Sequence, residues 1–121
     1  MNKIHLSWEE FDSMVNQLVE KIKISGKKFD SVCGIPRGGL PIAVCISHRL
    51  DLPLTFLPKK NTLIVDDISD NGKTLESHAK KHKIATLYTT SWSKTKPDWY
   101  VGIKESQKDW IVFPWENPSE Q

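Results

Sequence analysis

Cysteine is scarce in this chain: Cys33 and Cys45 are the only two among 121 residues. Two thiols in apolar segments, without metal-ligand spacing, exclude a disulfide scaffold and a cysteine-built zinc site. They read as buried free thiols in a reducing compartment, and the cytoplasm is the expected location. Long apolar runs are missing too. No stretch could span a bilayer, and the N-terminus lacks the apolar core of a secretory signal, so no membrane association is expected. An excess of one charge is also lacking. Lys and Arg number 17, Asp and Glu 15, and the formal net charge is only +2. Lys59-Lys60 and Lys80-Lys81 are short solvated pairs, and no nucleic-acid partner is expected. Repeats, low-complexity tracts and linkers do not occur. The length fits a single domain, residues 1–121, with a modest core.

What the chain does have is tryptophan. There are five, and Trp99, Trp110 and Trp115 crowd the last quarter. Ser7 and Glu10 form a capping box, after which Phe11, Met14, Val15, Leu18 and Ile22 recur at helical spacing. This first helix should stop near Ser25-Gly26. "DSVCGI" reads as a short buried strand, "PRGGLP" breaks it, and Ile42 to Leu50 reads as a second helix. "LPLTFLP" reads as a strand pinned between prolines. "TLIVD" reads as another strand, its Leu63, Ile64 and Val65 apolar on both faces, as in a central parallel strand. Thr74 to His82 reads as a polar helix and "IATLYTT" as the next strand. After Trp92 the tail is irregular and aromatic, with a short strand possible at "WIVF". This order predicts an α/β fold of three layers, with a mostly parallel central sheet flanked by helices.

"LIVDDISDNGKTL", Leu63 to Leu75, places three aspartates at the end of that apolar strand. Ligands of open α/β sheets bind beyond the carboxyl ends of the strands. Ile68 to Lys73 would form a loop into the following helix, with Gly72 letting the backbone amides converge on an anion. Asp66 and Asp67 could accept hydrogen bonds from hydroxyls or hold a hard cation such as Mg²⁺. A ligand carrying a sugar diol and a phosphate would satisfy both chemistries. Gly72-Lys73-Thr74 ends like a P-loop, but Asp67 stands where that motif requires a glycine.

The segment resembles the phosphoribosyl-diphosphate (PRPP) motif of the type I phosphoribosyltransferases, most of all the xanthine-guanine and hypoxanthine-guanine enzymes. The resemblance implies that Asp66 and Asp67 contact the ribose hydroxyls and Mg²⁺. It implies that Asn71, Gly72, Lys73 and Thr74 hold the 5′-phosphate. Asp70 falls where 6-oxopurine enzymes carry an aspartate beside purine N7, and is expected to act as general base or acid. Asn71 departs from the usual Thr or Ser.

Further segments agree, in the family's order. "GIPRGGLP", Gly34 to Pro41, is similar to the diphosphate loop, where Pro36, Arg37 and Gly38 would bind. Its small residues permit close backbone approach, Arg37 can fork onto a leaving group, and one peptide in this loop is often cis in the family. A lysine after the "IATLYTTSW" strand recognises the 6-oxo group in these relatives. Lys94 aligns best, with Lys96 as the alternative. "DWIVFPWE" is similar to the segment whose first aromatic stacks on the base. Trp110 is the expected stacking residue, with the Ile111 backbone at the purine edge. Phe113, Pro114 and Trp115 are expected to pack this segment over the base site, and Glu116 to be structural or else to help a metal or the purine 2-amino group.

The resemblance thus implies a 6-oxopurine phosphoribosyltransferase of purine salvage, using PRPP, a purine base and Mg²⁺, as a homodimer. Asp70 and Arg37 are the expected catalytic residues. One departure is plain. Family enzymes carry a long lid before the acidic strand, whereas this chain has only Pro58 to Asn61 and their neighbours. A partner subunit could supply the cover. The alternative is a lidless, catalytically weak regulator that binds PRPP or a nucleotide.

Overall fold

The computed structural model describes residues 2–116. It opens on a strand that the sequence pattern did not announce, β1, Asn2–His5. Helix α1, Trp8–Ser25, follows with its expected signals in place. Ser7 Oγ accepts from the Glu10 N–H at 3.0 Å, and Glu10 Oε1 accepts from the Ser7 N–H at 2.9 Å. Gly26 ends the helix at φ 77°, a left-handed conformation that suits glycine. The apolar stripe from Phe11 to Ile22 is buried.

Strand β2, Ser31–Gly34, leads into helix α2, Gly39–Leu50. The helix begins before the expected Ile42. Pro41 lies in its first turn, where an absent N–H costs no helical hydrogen bond. The expected strand at Leu52 to Pro58 reduces to one parallel bridge between Leu54 and Val32. Pro53 and Pro58 cannot donate to a ladder, and Phe56 and Leu57 turn outward, 81% and 76% exposed.

Strand β3, Thr62–Ser69, precedes helix α3, Lys73–Ala79, and strand β4, Ile84–Thr89. Two short strands follow, β5, Gly102–Ile103, and β6, Asp109–Val112. Strand order β2-β3-β4-β5 forms a four-stranded parallel sheet. Strands β1 and β6 pair separately, also in parallel. Side-chain alternation divides the core. Val32, Leu63, Val65, Ala85 and Leu87 pack under α1 and α2, while Cys33, Ile64 and Ile84 meet Leu75 of α3. The result is the expected three layers, with helices on both faces of a parallel sheet. No helix among the described residues is long and apolar enough to cross a membrane.

Candidate active site

Strand β3 runs further than expected, through both aspartates to Ser69, because Ile68 and Ser69 continue the pairing with Tyr88 and Thr89. The turn therefore begins at Asp70. Its carbonyls are pinned to the β4–β5 connection. Asp70 O accepts from Thr90 Oγ1 at 2.6 Å, Asn71 O from the Lys94 N–H at 2.9 Å, and Gly72 O from Thr95 Oγ1 at 2.7 Å. In a trans peptide the next N–H points the opposite way, so the Asn71 and Gly72 amides face away from that connection. Asn71 Oδ1 also accepts from the Lys73 N–H at 2.8 Å. Gly72, at φ 82°, has no space for a side chain: a Cβ there would meet the Lys94 and Thr95 backbone. A cavity of about 170 Å³ lies against this turn, lined by residues including Asp66, Asn71, Gly72 and Thr74.

Asp66 is 8% exposed and sits beside Asp67. Burial, and then the neighbouring Asp67 carboxylate, push the Asp66 carboxyl up to about 8. Each acid also accepts from the next amide, Asp66 from Asp67 and Asp67 from Ile68, both at 2.8 Å. Such a pair fits a cation. The described residues hold no group of three or more metal-binding side chains. These two carboxylates could hold a hard cation, which would draw its other ligands from outside the described residues.

The second loop abuts the first. A Cβ on Gly38 would collide with the Asp67 carboxylate, so only glycine permits this approach. The Pro36–Arg37 peptide is cis, and Arg37 is exposed. Arg37, Gly38 and Asp67 line one side of a cavity of about 690 Å³, whose other wall includes Trp110, Ile111, Phe113 and Trp115. Trp110 is 44% exposed there. Behind it, Phe113 stacks on Trp115 with ring centroids 5.0 Å apart, and Trp115 meets Phe11 of α1 edge-on at 5.4 Å. Glu116 Oε1 accepts from the Phe113 N–H at 2.9 Å, which ties down the turn.

Asp70 and Ile68 border both cavities. Asp70 Oδ2 accepts from Lys104 Nζ at 2.7 Å, and Oδ1 accepts from Trp92 Nε1 at 3.0 Å. Lys104 is 7% exposed and lines the larger cavity. Here the structure departs from the sequence expectation. Lys94 and Lys96 are exposed and border neither cavity. The Lys94 N–H fastens the Asn71 carbonyl, and Lys96 Nζ lies 5.5 Å from the Tyr100 ring centroid. Lys104 escaped notice because its strand has two residues, too few for any periodicity. The signal it offers is a lysine straight after "VGI", at the carboxyl end of a strand. Lys73 and Thr74 are exposed on the first turn of α3, Thr74 beside the smaller cavity, and Pro36 is exposed at the cis peptide.

No family model matches the chain. A xanthine-guanine phosphoribosyltransferase of Cereibacter sphaeroides is 28% identical over 145 residues, covering 93% of this chain and 86% of that protein. The crystal structure of a purine phosphoribosyltransferase from Pyrococcus horikoshii superposes with a TM-score of 0.82 at 37% identity, covering 97% of this chain and 95% of that one. A xanthine-guanine-hypoxanthine phosphoribosyltransferase of Helicobacter pylori shares the fold, with a TM-score of 0.81 at 22% identity, and coverage of 98% and 97%.

Proposed function

The chain belongs to the type I phosphoribosyltransferase family, among its purine enzymes, and from that membership we propose that it joins ribose 5-phosphate to a 6-oxopurine in purine salvage. Hypoxanthine, guanine and xanthine are the candidate bases. The observation that carries this reading is that Ile68 and Asp70 line both cavities. A phosphate in the smaller cavity, a ribose against Asp66 and Asp67, and a base between Asp70 and Trp110 would form one continuous ligand.

In this reading the Asn71 and Gly72 amides and Thr74 bind the 5′-phosphate, with Lys73 beside them. Asp66 and Asp67 hold the ribose diol and fix the sugar. The bond from C1′ to the diphosphate oxygen breaks, and its electron pair leaves with diphosphate. Purine N9 bonds to C1′, and the N7 proton passes to Asp70. Arg37 and the loop around Gly38 receive the departing negative charge. Mg²⁺, held by Asp66 and Asp67 together with substrate oxygens, would neutralise part of that charge when bound.

The connection from Thr55 to Asn61 lines neither cavity, so a homodimer partner is the proposed cover. The exposed Phe56 and Leu57 would supply its apolar contact. A size-exclusion experiment with light scattering tests that assembly.

The reaction is tested with PRPP, Mg²⁺ and each 6-oxopurine, followed by absorbance. Asp70→Asn should lower kcat by roughly 10²- to 10⁴-fold, the usual worth of a positioned acid or base, while PRPP binding by calorimetry stays within about threefold. Wild-type turnover in that variant would remove Asp70 from the mechanism. No nucleotide from any of the three bases with the wild-type protein would overturn the proposal.

A further inference from the structure

We propose that Lys104, rather than a lysine of the β4–β5 connection, reads the 6-oxo group, and that it does so as one unit with Asp70; this rests on the purine-transfer reading above. Lys104 leaves the sheet at the carboxyl end of β5, where its N–H donates to the Thr89 carbonyl at 2.9 Å. Its side chain is buried, yet the ammonium has three donors, and Asp70 is its hydrogen-bond acceptor among the described residues. Burying an ammonium with unfilled donors is costly. Lys104 lines the larger cavity together with Trp110 and Ile111. A ligand oxygen there would fill the shortfall.

The purine edge supplies one. Before transfer, a 6-oxopurine protonated at N7 presents an N–H donor beside the O6 acceptor. The Asp70–Lys104 pair presents the mirror order, a carboxylate acceptor beside an ammonium donor. Trp92 fixes the pair from behind: its Nε1 bonds Asp70 Oδ1 at 3.0 Å, and Lys104 Nζ lies 5.9 Å from its ring centroid. A 6-amino group would set donor against donor, so adenine is rejected by repulsion as well as by a lost contact. Base choice and N7 proton handling therefore share one ion pair, and neither partner can change without the other.

The test is a selectivity ratio, which a general loss of folding or activity does not move. Nucleotide formation is measured with hypoxanthine and with unsubstituted purine, which lacks the 6-oxo group and the N1 proton beside it. The wild-type protein should favour hypoxanthine in kcat/KM by at least tenfold. Lys104→Met should bring that ratio within about threefold of unity while PRPP affinity stays within threefold, since the ribose and phosphate contacts lie elsewhere. Lys104→Arg should restore part of the preference. A ratio that survives Lys104→Met, or that collapses in Lys94→Met or Lys96→Met instead, overturns the inference and leaves the transfer reading standing. If the wild-type protein converts none of the 6-oxopurines, both readings fall together.

Discussion

Replacing Gly72 and Gly26 in parallel by alanine separates two costs that usually arrive together. Both glycines sit in the left-handed region, at φ 82° and 77°. A Cβ in that region costs roughly 1–2 kcal/mol. Alanine also restricts the unfolded chain, which returns about 0.4–1 kcal/mol. At Gly26 nothing lies within 4 Å of the added carbon, so Gly26→Ala should destabilise by only about 1 kcal/mol. At Gly72 the new carbon would meet Ser93 Oγ at 2.6 Å and the Lys94 backbone nitrogen at 2.8 Å, with the Thr95 backbone closer still. Backbone cannot swing aside as a lysine tip can, so an overpacking penalty of roughly 1–3 kcal/mol is added. Gly72→Ala should therefore cost about 2–4 kcal/mol in all. Urea titrations should show a lower midpoint at an unchanged slope. Nucleoside monophosphate affinity should fall only for the Gly72 variant, because the amides it displaces belong to the phosphate turn. Equal midpoints for the two variants would refute the claim that the turn is locked against the β4–β5 connection.

Other expectations follow from the same geometry. The Asp66 contribution to stability should decline as pH rises from 3.8 to about 8, since native Asp66 retains a proton that the unfolded chain has already lost. Asp66→Asn lacks this slope. Its Tm advantage in ligand-free, chelated buffer should grow to several degrees by about pH 8 and then level off, and parallel pH profiles would refute the assigned burial. Trp110→Ala should raise the KM for the base roughly 5- to 150-fold, the worth of about 1–3 kcal/mol of stacking, with PRPP binding unaffected; an unchanged KM would move the base away from Trp110.

Much of the fold could be read directly because its signals are local. The capping box at Ser7 and Glu10, the stripe from Phe11 to Ile22 and the apolar run before Asp66 each act within a few residues. That Asp66, Asp67 and Asp70 come together beside cavities was legible for the same reason, with all three in one short segment. What escaped depends on distant partners. Strand β1 has no apolar face of its own, and it is a strand only because β6 lies beside it. Leu52 to Pro58 looks like a strand in isolation, but its prolines leave one bridge. A lysine for the base was expected directly after β4, yet the lysine that lines the larger cavity, Lys104, comes after the next strand. Sequence distance hides a contact that parallel pairing creates.

The pairing of β1 with β6 joins the first described residues to the segment bearing Trp110 and Ile111. The two strands stand at opposite ends of the described residues, so their pairing needs every element between them to bring them together. One wall of the larger cavity thus depends on a contact between segments far apart in sequence. Without β1, the strand that carries Trp110 and Ile111 into the larger cavity would lose its only partner among the described residues.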